Sequence, residues 1–185
     1  MNPRPPLTDP EAWLALSLAL PEWSPPAALL DRLLSAADRA APYRPYLAHL
    51  AESFDLDERA VHELLRRVDD PKCWTPGIGA TIGFMHFDAG PRIRPSPGGL
   101  GTAGAAAHCG LARMRSGARV PHHRHKGREL TFVLRGALVV DEGPRIAAGQ
   151  VLDVAAGSEH SLRVEGEPDA LVAVMLSEIE IVRSP

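Results

Sequence analysis

Gly117-Ala-Arg-Val-Pro-His-His-Arg-His-Lys-Gly-Arg-Glu-Leu-Thr-Phe-Val-Leu-Arg-Gly136 is the stretch from which the fold of this chain is read. His123 and His125 stand two residues apart, so in an extended segment both rings point to the same side. Glu129 follows a short Lys-Gly-Arg turn. It heads a strand in which alternation sets Glu129, Thr131 and Val133 on one face and Leu130, Phe132 and Leu134 on the other. If the two strands pair, two imidazoles and a carboxylate converge. That donor set suits a divalent transition ion, zinc first, or manganese, iron or nickel, with positions left open for water or a small molecule.

Outward from this stretch, the pattern is that of short strands. They are expected at about 78–87 (one or two strands), 106–114, 118–125, 129–135, 137–141, 151–154, 160–164 and 170–181, with a Gly- and Pro-rich loop over 89–104. Many short strands joined by glycine turns, with no helices between them, predict a β-sandwich or barrel over residues 71–185. Ahead of it, residues 1–70 read as an all-α segment of about four short helices. Thr8-Asp-Pro-Glu11 has the spacing of a capping box for a first helix through Trp13, Leu14, Leu16 and Leu18, which Pro21 ends. Ser24 caps a second with the stripe Leu29, Leu30, Leu33 and Leu34. A third covers Tyr46 to Phe54. Asp57 caps a fourth, in which Val61, Leu64, Leu65 and Val68 recur at helical spacing.

Charge narrows the function classes. The formal charge is −3, but residues 1–70 hold seven Arg against twelve Asp or Glu, and residues 71–185 hold thirteen Lys or Arg against eleven Asp or Glu. An acidic helical front lacks the basic footprint that phosphate contact requires, so no direct nucleic-acid binding is expected and a helix-turn-helix over the third and fourth helices is set aside. No apolar run approaches a membrane span, and the N-terminus lacks a signal pattern, so the expected location is cytoplasmic. Cys73 and Cys109 have no C-x-x-C spacing and read as buried or free thiols. His49 and His62 read as helix-surface or satisfied histidines. His122 is out of phase with its neighbours and is expected to point away.

A second stretch, Gly149-Gln-Val-Leu-Asp-Val-Ala-Ala-Gly-Ser-Glu-His160, completes a family pattern. Together the two stretches resemble the signature motifs of the cupin superfamily. The first, G-x5-H-x-H-x3-E-x6-G, is met by Gly117, His123, His125, Glu129 and Gly136. The second, G-x5-P-x-G-x2-H-x3-N, is met by Gly149, Gly157 and His160, with Ala155 in place of Pro and Val164 in place of Asn. The resemblance implies a double-stranded β-helix, or jelly-roll barrel, holding one metal ion through His123, His125, Glu129 and His160.

Within the superfamily, residues 105–180 are most similar to the C-terminal cupin of ChrR-type anti-sigma factors. That likeness implies a regulatory protein of a stress response, with an extracytoplasmic-function (ECF) sigma factor as partner of the acidic N-terminal helices. The family's His-x3-Cys-x2-Cys zinc module has no counterpart here. The alternative is a metal-dependent cupin enzyme, a dioxygenase or isomerase, acting on a small anionic substrate. For it, His108, Arg113, Thr131 and Arg135 are the candidates to line the cavity; otherwise His86 and His108 read as satisfied core histidines. Because cupins often dimerise, a homodimer is expected, with Leu130, Phe132 and Leu134 covered by helices or by a second subunit.

Overall fold

The computed structural model describes residues 26, 28, 29, 33, 38–77, 79–93, 108–141 and 143–182. The first expected helix lies outside these residues, as does most of the second, of which Ala28, Leu29 and Leu33 are helical. Met1–Ala37 and Asp38–Pro185 are two compact units; all elements below belong to the second.

A 3-10 segment, Ala41–Tyr46, runs into α1 (Leu47–Phe54), and α2 spans Glu58–Arg66. Asp55 ends α1 in the left-handed conformation, at φ 55°. Asp57 caps α2, its carboxylate accepting from the Ala60 amide at 2.7 Å. That bond satisfies one of the free amides of the first turn. The predicted stripe is the buried one: Val61, Leu65 and Val68 are each under 5% exposed.

Eleven strands follow among the described residues. They are β1 (Thr75–Pro76), β2 (Ile82–His86), β3 (His108–Met114), β4 (Arg119–His125), β5 (Glu129–Arg135), β6 (Ala137–Val140), β7 (Arg145–Ala147), β8 (Val151–Val154), β9 (Glu159–Val164), β10 (Ala170–Leu176) and β11 (Ile179–Ile181). They form two antiparallel sheets, in the orders β1-β2-β3-β10-β5-β8 and β11-β4-β9-β6-β7. The fold is mainly β, two antiparallel sheets facing each other as the jelly-roll resemblance implies, with a short helical segment before them. Three features differ from expectation. β1 lies ahead of the first expected strand. β7 has three residues, too few to show alternation. The single strand expected over 170–181 breaks after Leu176, and its second piece crosses to the other sheet to pair with β4.

The larger sheet is apolar on both faces, and each face has its own partner. Ile82, Ala112, Met114, Val133 and Val172 pack inward against Leu138 and Val164 of the opposing sheet. Val164, which replaces the family's Asn, is part of this core, so an apolar side chain there costs no buried hydrogen bond. Met85, Leu111, Phe132, Leu134, Ala173 and Met175 point outward and pack with Leu50, Phe54, Val61 and Leu65 of the helices. Phe132 carries much of this contact, its ring 5.2 Å from Tyr46 and 4.7 Å from His49. The helices of the chain itself therefore cover the apolar face of β5.

Candidate metal centre

Alternation along β5 turns Glu129 and Thr131 into the barrel, as the sequence pattern predicts. β4 reaches the same point less regularly. Its pairing with β9 slips between Val120 and His123, and this irregularity places Pro121 and His122 off the barrel's inner face while His123 and His125 stay on it. His122 instead meets Glu159 at 3.2 Å on the outer face, where Glu159 also pairs with Arg124. On β9, His160 is the register partner of His123.

The ligand-type atoms of His123, His125, Glu129 and His160 all lie within 4.8 Å of one another, and the four residues are between 1% and 5% exposed. His125 Nε2 stands 3.1 Å from His160 Nε2, and His125 Nδ1 lies 3.3 Å from Glu129 Oε2. Ligands bound at about 2.0–2.1 Å to one ion sit roughly 2.9–3.4 Å apart, so the Nε2–Nε2 separation fits an edge of a coordination polyhedron, while the Glu129 contact engages the other nitrogen of His125, which cannot bind the same ion. His123 Nδ1 is 2.8 Å from the Pro121 carbonyl oxygen. A carbonyl only accepts, so the proton is on Nδ1 and the lone pair of Nε2 is free to ligate. Thr131 Oγ1 donates to Glu129 Oε1 at 2.6 Å, which holds the carboxylate in one orientation.

The electrostatics match this use. Burial lowers the pKa of all three imidazoles, with His125 and His160 brought down to about 4 and further disfavoured as cations by their neighbouring histidines. They are therefore neutral, the form that ligates. Burial raises the Glu129 carboxyl, with the Thr131 bond opposing. A dication would reverse that shift by supplying the missing positive charge. Three neutral imidazoles and one anchored carboxylate, all dry, fit a divalent metal ion.

The remaining candidates are placed differently. Thr131 lines the cavity at the cluster, but His108, Arg113 and Arg135 are not among its lining residues. Arg113 is out of phase with Ala112 and Met114, and its guanidinium lies 4.9 Å over the Trp74 ring. Arg135 shares the phase of Glu129, Thr131 and Val133. However, a bulge opposite Leu171 and Val172 re-aims it to the helical side, where it donates to Tyr43 Oη at 3.2 Å. His86 and His108 are exposed rather than in the core, because they sit at the ends of β2 and β3. His62 bonds Asp38 at 3.1 Å. Cys109 is buried and Cys73 half-buried, both as free thiols.

The cavity measures ≈60 Å³, and its walls are apolar: Ile82, Phe84, Met114, Leu138, Leu162 and Val172 among them. No family signal in the sequence pointed to these wall residues, which come from strands spread over both sheets. Among the described residues, no helix is long and apolar enough to cross a membrane.

Comparison with known proteins bears on the barrel. Residues 110–176 match the cupin domain family model. No curated protein sequence matches the chain. Solved structures similar to it include an RmlC-like cupin protein from Ralstonia eutropha (21% identity, TM-score 0.44, 56% of this chain and 62% of that one). Another is a chain of the Rhodobacter sphaeroides SigE complex with the anti-sigma ChrR (22%, 0.47, 90% and 75%). A third is an acetylacetone dioxygenase from Acinetobacter johnsonii (14%, 0.47, 62% and 74%). The match spans less than two thirds of the Ralstonia protein's own length.

Proposed function

Residues 110–176 being a cupin domain, we propose that the protein is a metal-binding regulator: the barrel holds one divalent ion, zinc first, through His123, His125, Glu129 and His160, and the acidic N-terminal segment engages an ECF-type sigma factor in the cytoplasm. One observation carries the regulatory side. Apart from the cluster, every described residue lining the cavity is apolar except Thr131, and Thr131 is committed to Glu129. A hydrolase or isomerase needs a group to move protons at the substrate. None lines this cavity beyond the ligands themselves. The acidic excess of residues 1–70 suits a basic partner surface, and the likeness of Gly117–Gly136 to ChrR-type cupins points to the sigma-factor class.

A bound ion would supply Lewis acidity and open coordination positions. The chain's own part is to keep the three rings neutral, to fix the His123 tautomer through Pro121 and to hold Glu129 through Thr131. Self-association belongs to the same proposal: Val151 and Ile181, on the edge strands β8 and β11, are 43% and 50% exposed.

An enzyme of the dioxygenase type is the second reading, favoured by the cavity that ends on the cluster. It does not require an extra proton carrier if the ion binds the substrate directly.

The test is capture of a co-expressed ECF sigma factor by the full chain, with and without chelator. Metal-dependent capture is expected, and Glu129→Ala is expected to release the partner. A chain that holds one equivalent of metal, captures no sigma factor and turns over an organic substrate would replace the regulatory reading with the enzymatic one.

A further inference from the structure

A second cavity, ≈320 Å³, lies beside the first, and Phe84, Val174, Leu176 and Ile179 line both. It is reached past His86 and His108, which with Cys109 and Gly110 complete its lining. The register explains why the opening is there. His86, Gly110, Val174 and Thr131 are successive Cα partners across β2, β3, β10 and β5. This row runs from the rim to the hydroxyl that holds Glu129. At its second position Gly110 contributes no side chain, where Ala112 and Met114 of the same phase fill the barrel deeper in. On the far side β11 is an edge strand, and among the described residues only Ile179 lines the gap from the opposite sheet.

We infer that this gap is the entry passage to the cluster and that it admits uncharged, largely apolar molecules of a few heavy atoms carrying an oxygen donor. The inference rests on the metal-centre reading given above and names the ligand class for that site. Three observations carry it. Between the rim and the cluster the walls are hydrocarbon. Among the described residues no lysine or arginine lines either cavity, so a carboxylate entering would face Glu129 with no side-chain counter-charge. In the metal-free chain such an ion would lose its hydration without compensation. Finally, a water fills roughly 10–15 Å³ on the same scale, so the ≈60 Å³ inner cavity takes a molecule of only about four to six heavy atoms. An anionic substrate, which Arg113 and Arg135 would have served, is disfavoured because neither guanidinium lines the passage.

The test is a titration of the methyl-labelled full chain with 1-butanol and with butyrate, in metal-free and zinc-treated forms, followed by NMR. Saturable shifts at the Val174, Leu176 and Ile179 methyls are expected with butanol in both forms, and none with butyrate in the metal-free form. Gly110→Val is expected to abolish them by filling the gap. Its Cβ would stand 3.0 Å from the Met85 carbonyl oxygen and could disturb β3. Leu176→Phe therefore provides a second block at a position that already carries a side chain lining both cavities, and the same loss is expected. The inference is overturned by butyrate binding the metal-free chain as tightly as butanol, by absence of butanol shifts, or by shifts that persist in folded blocked variants. A chain that takes no metal yet binds butanol sinks the metal centre and leaves the passage standing. One that loads zinc but shows no butanol shifts does the reverse.

Discussion

His125 and His160 present their Nε2 atoms to each other at 3.1 Å, although β4 carries one and β9 the other. Two neutral imidazoles at that distance share either one proton or one cation, and three such rings crowd this point with Glu129. Purified without chelator, the protein is expected to hold about one equivalent of metal, by the four-donor set of a single-ion site. His160→Ala and His125→Ala are expected to lose it, measured by elemental mass spectrometry. Stoichiometric metal in both variants would remove the centre from these residues.

Thr131 holds Glu129, the carboxylate of the proposed metal site, by its hydroxyl. Thr131→Val keeps the volume, deletes the 2.6 Å bond and leaves the carboxylate less well held. Partners of this kind are worth about 10- to 100-fold in metal affinity. A competition titration with a chromophoric chelator should show weakening in that range, while the fold, read by circular dichroism, stays as it is. An unchanged affinity would mean that Glu129 is held by packing alone.

Acid acts on the metal-free chain with a definite sign. His125 and His160 titrate at about 4 when folded against about 6.5 when unfolded. Between those values the unfolded chain binds more protons, so the stability from these rings is present above 6.5 and is lost as pH falls towards 4. Glu129 works the other way: its folded value is raised, and its contribution is lost as pH rises through it. Ring titrations by NMR should therefore show inflections well below the ordinary imidazole value. In thermal melts Glu129→Gln should steepen the loss between pH 6.5 and 4, since the opposing group is gone. Inflections near 6.5 would show that the rings are wet.

Two motif glycines separate by their surroundings. Gly117 and Gly136 both have positive φ, 73° and 76°, which costs a residue with a Cβ about 1–2 kcal/mol. A Cβ on Gly117 meets nothing within 4 Å, but on Gly136 it would sit 2.9 Å from the Ala170 Cα. Gly117→Ala should therefore cost about 1 kcal/mol and Gly136→Ala clearly more, because backbone must move as well. Equal losses in urea melts would show that β10 yields at Ala170 freely.

Local rules make much of this protein legible in its sequence. Period-two alternation placed Glu129 and Thr131 opposite Leu130 and Phe132, and the capping chemistry of Asp57 marked the start of α2. Spacing by itself put His123 and His125 on one side and let Glu129 join them. These are properties of a residue and its near neighbours, which is why they survive into the fold. Only the family resemblance added His160. Tertiary structure decided what depends on the partner strand. The bulge at Leu171 and Val172 turned Arg135 away from the barrel to Tyr43, and the slip after Val120 reset the phase of β4. The break after Leu176 sent β11 to the other sheet and left a gap beside it. Register between strands far apart in sequence is set by the packing of both faces at once, so the route past Gly110 to the cluster exists only once the two sheets have closed.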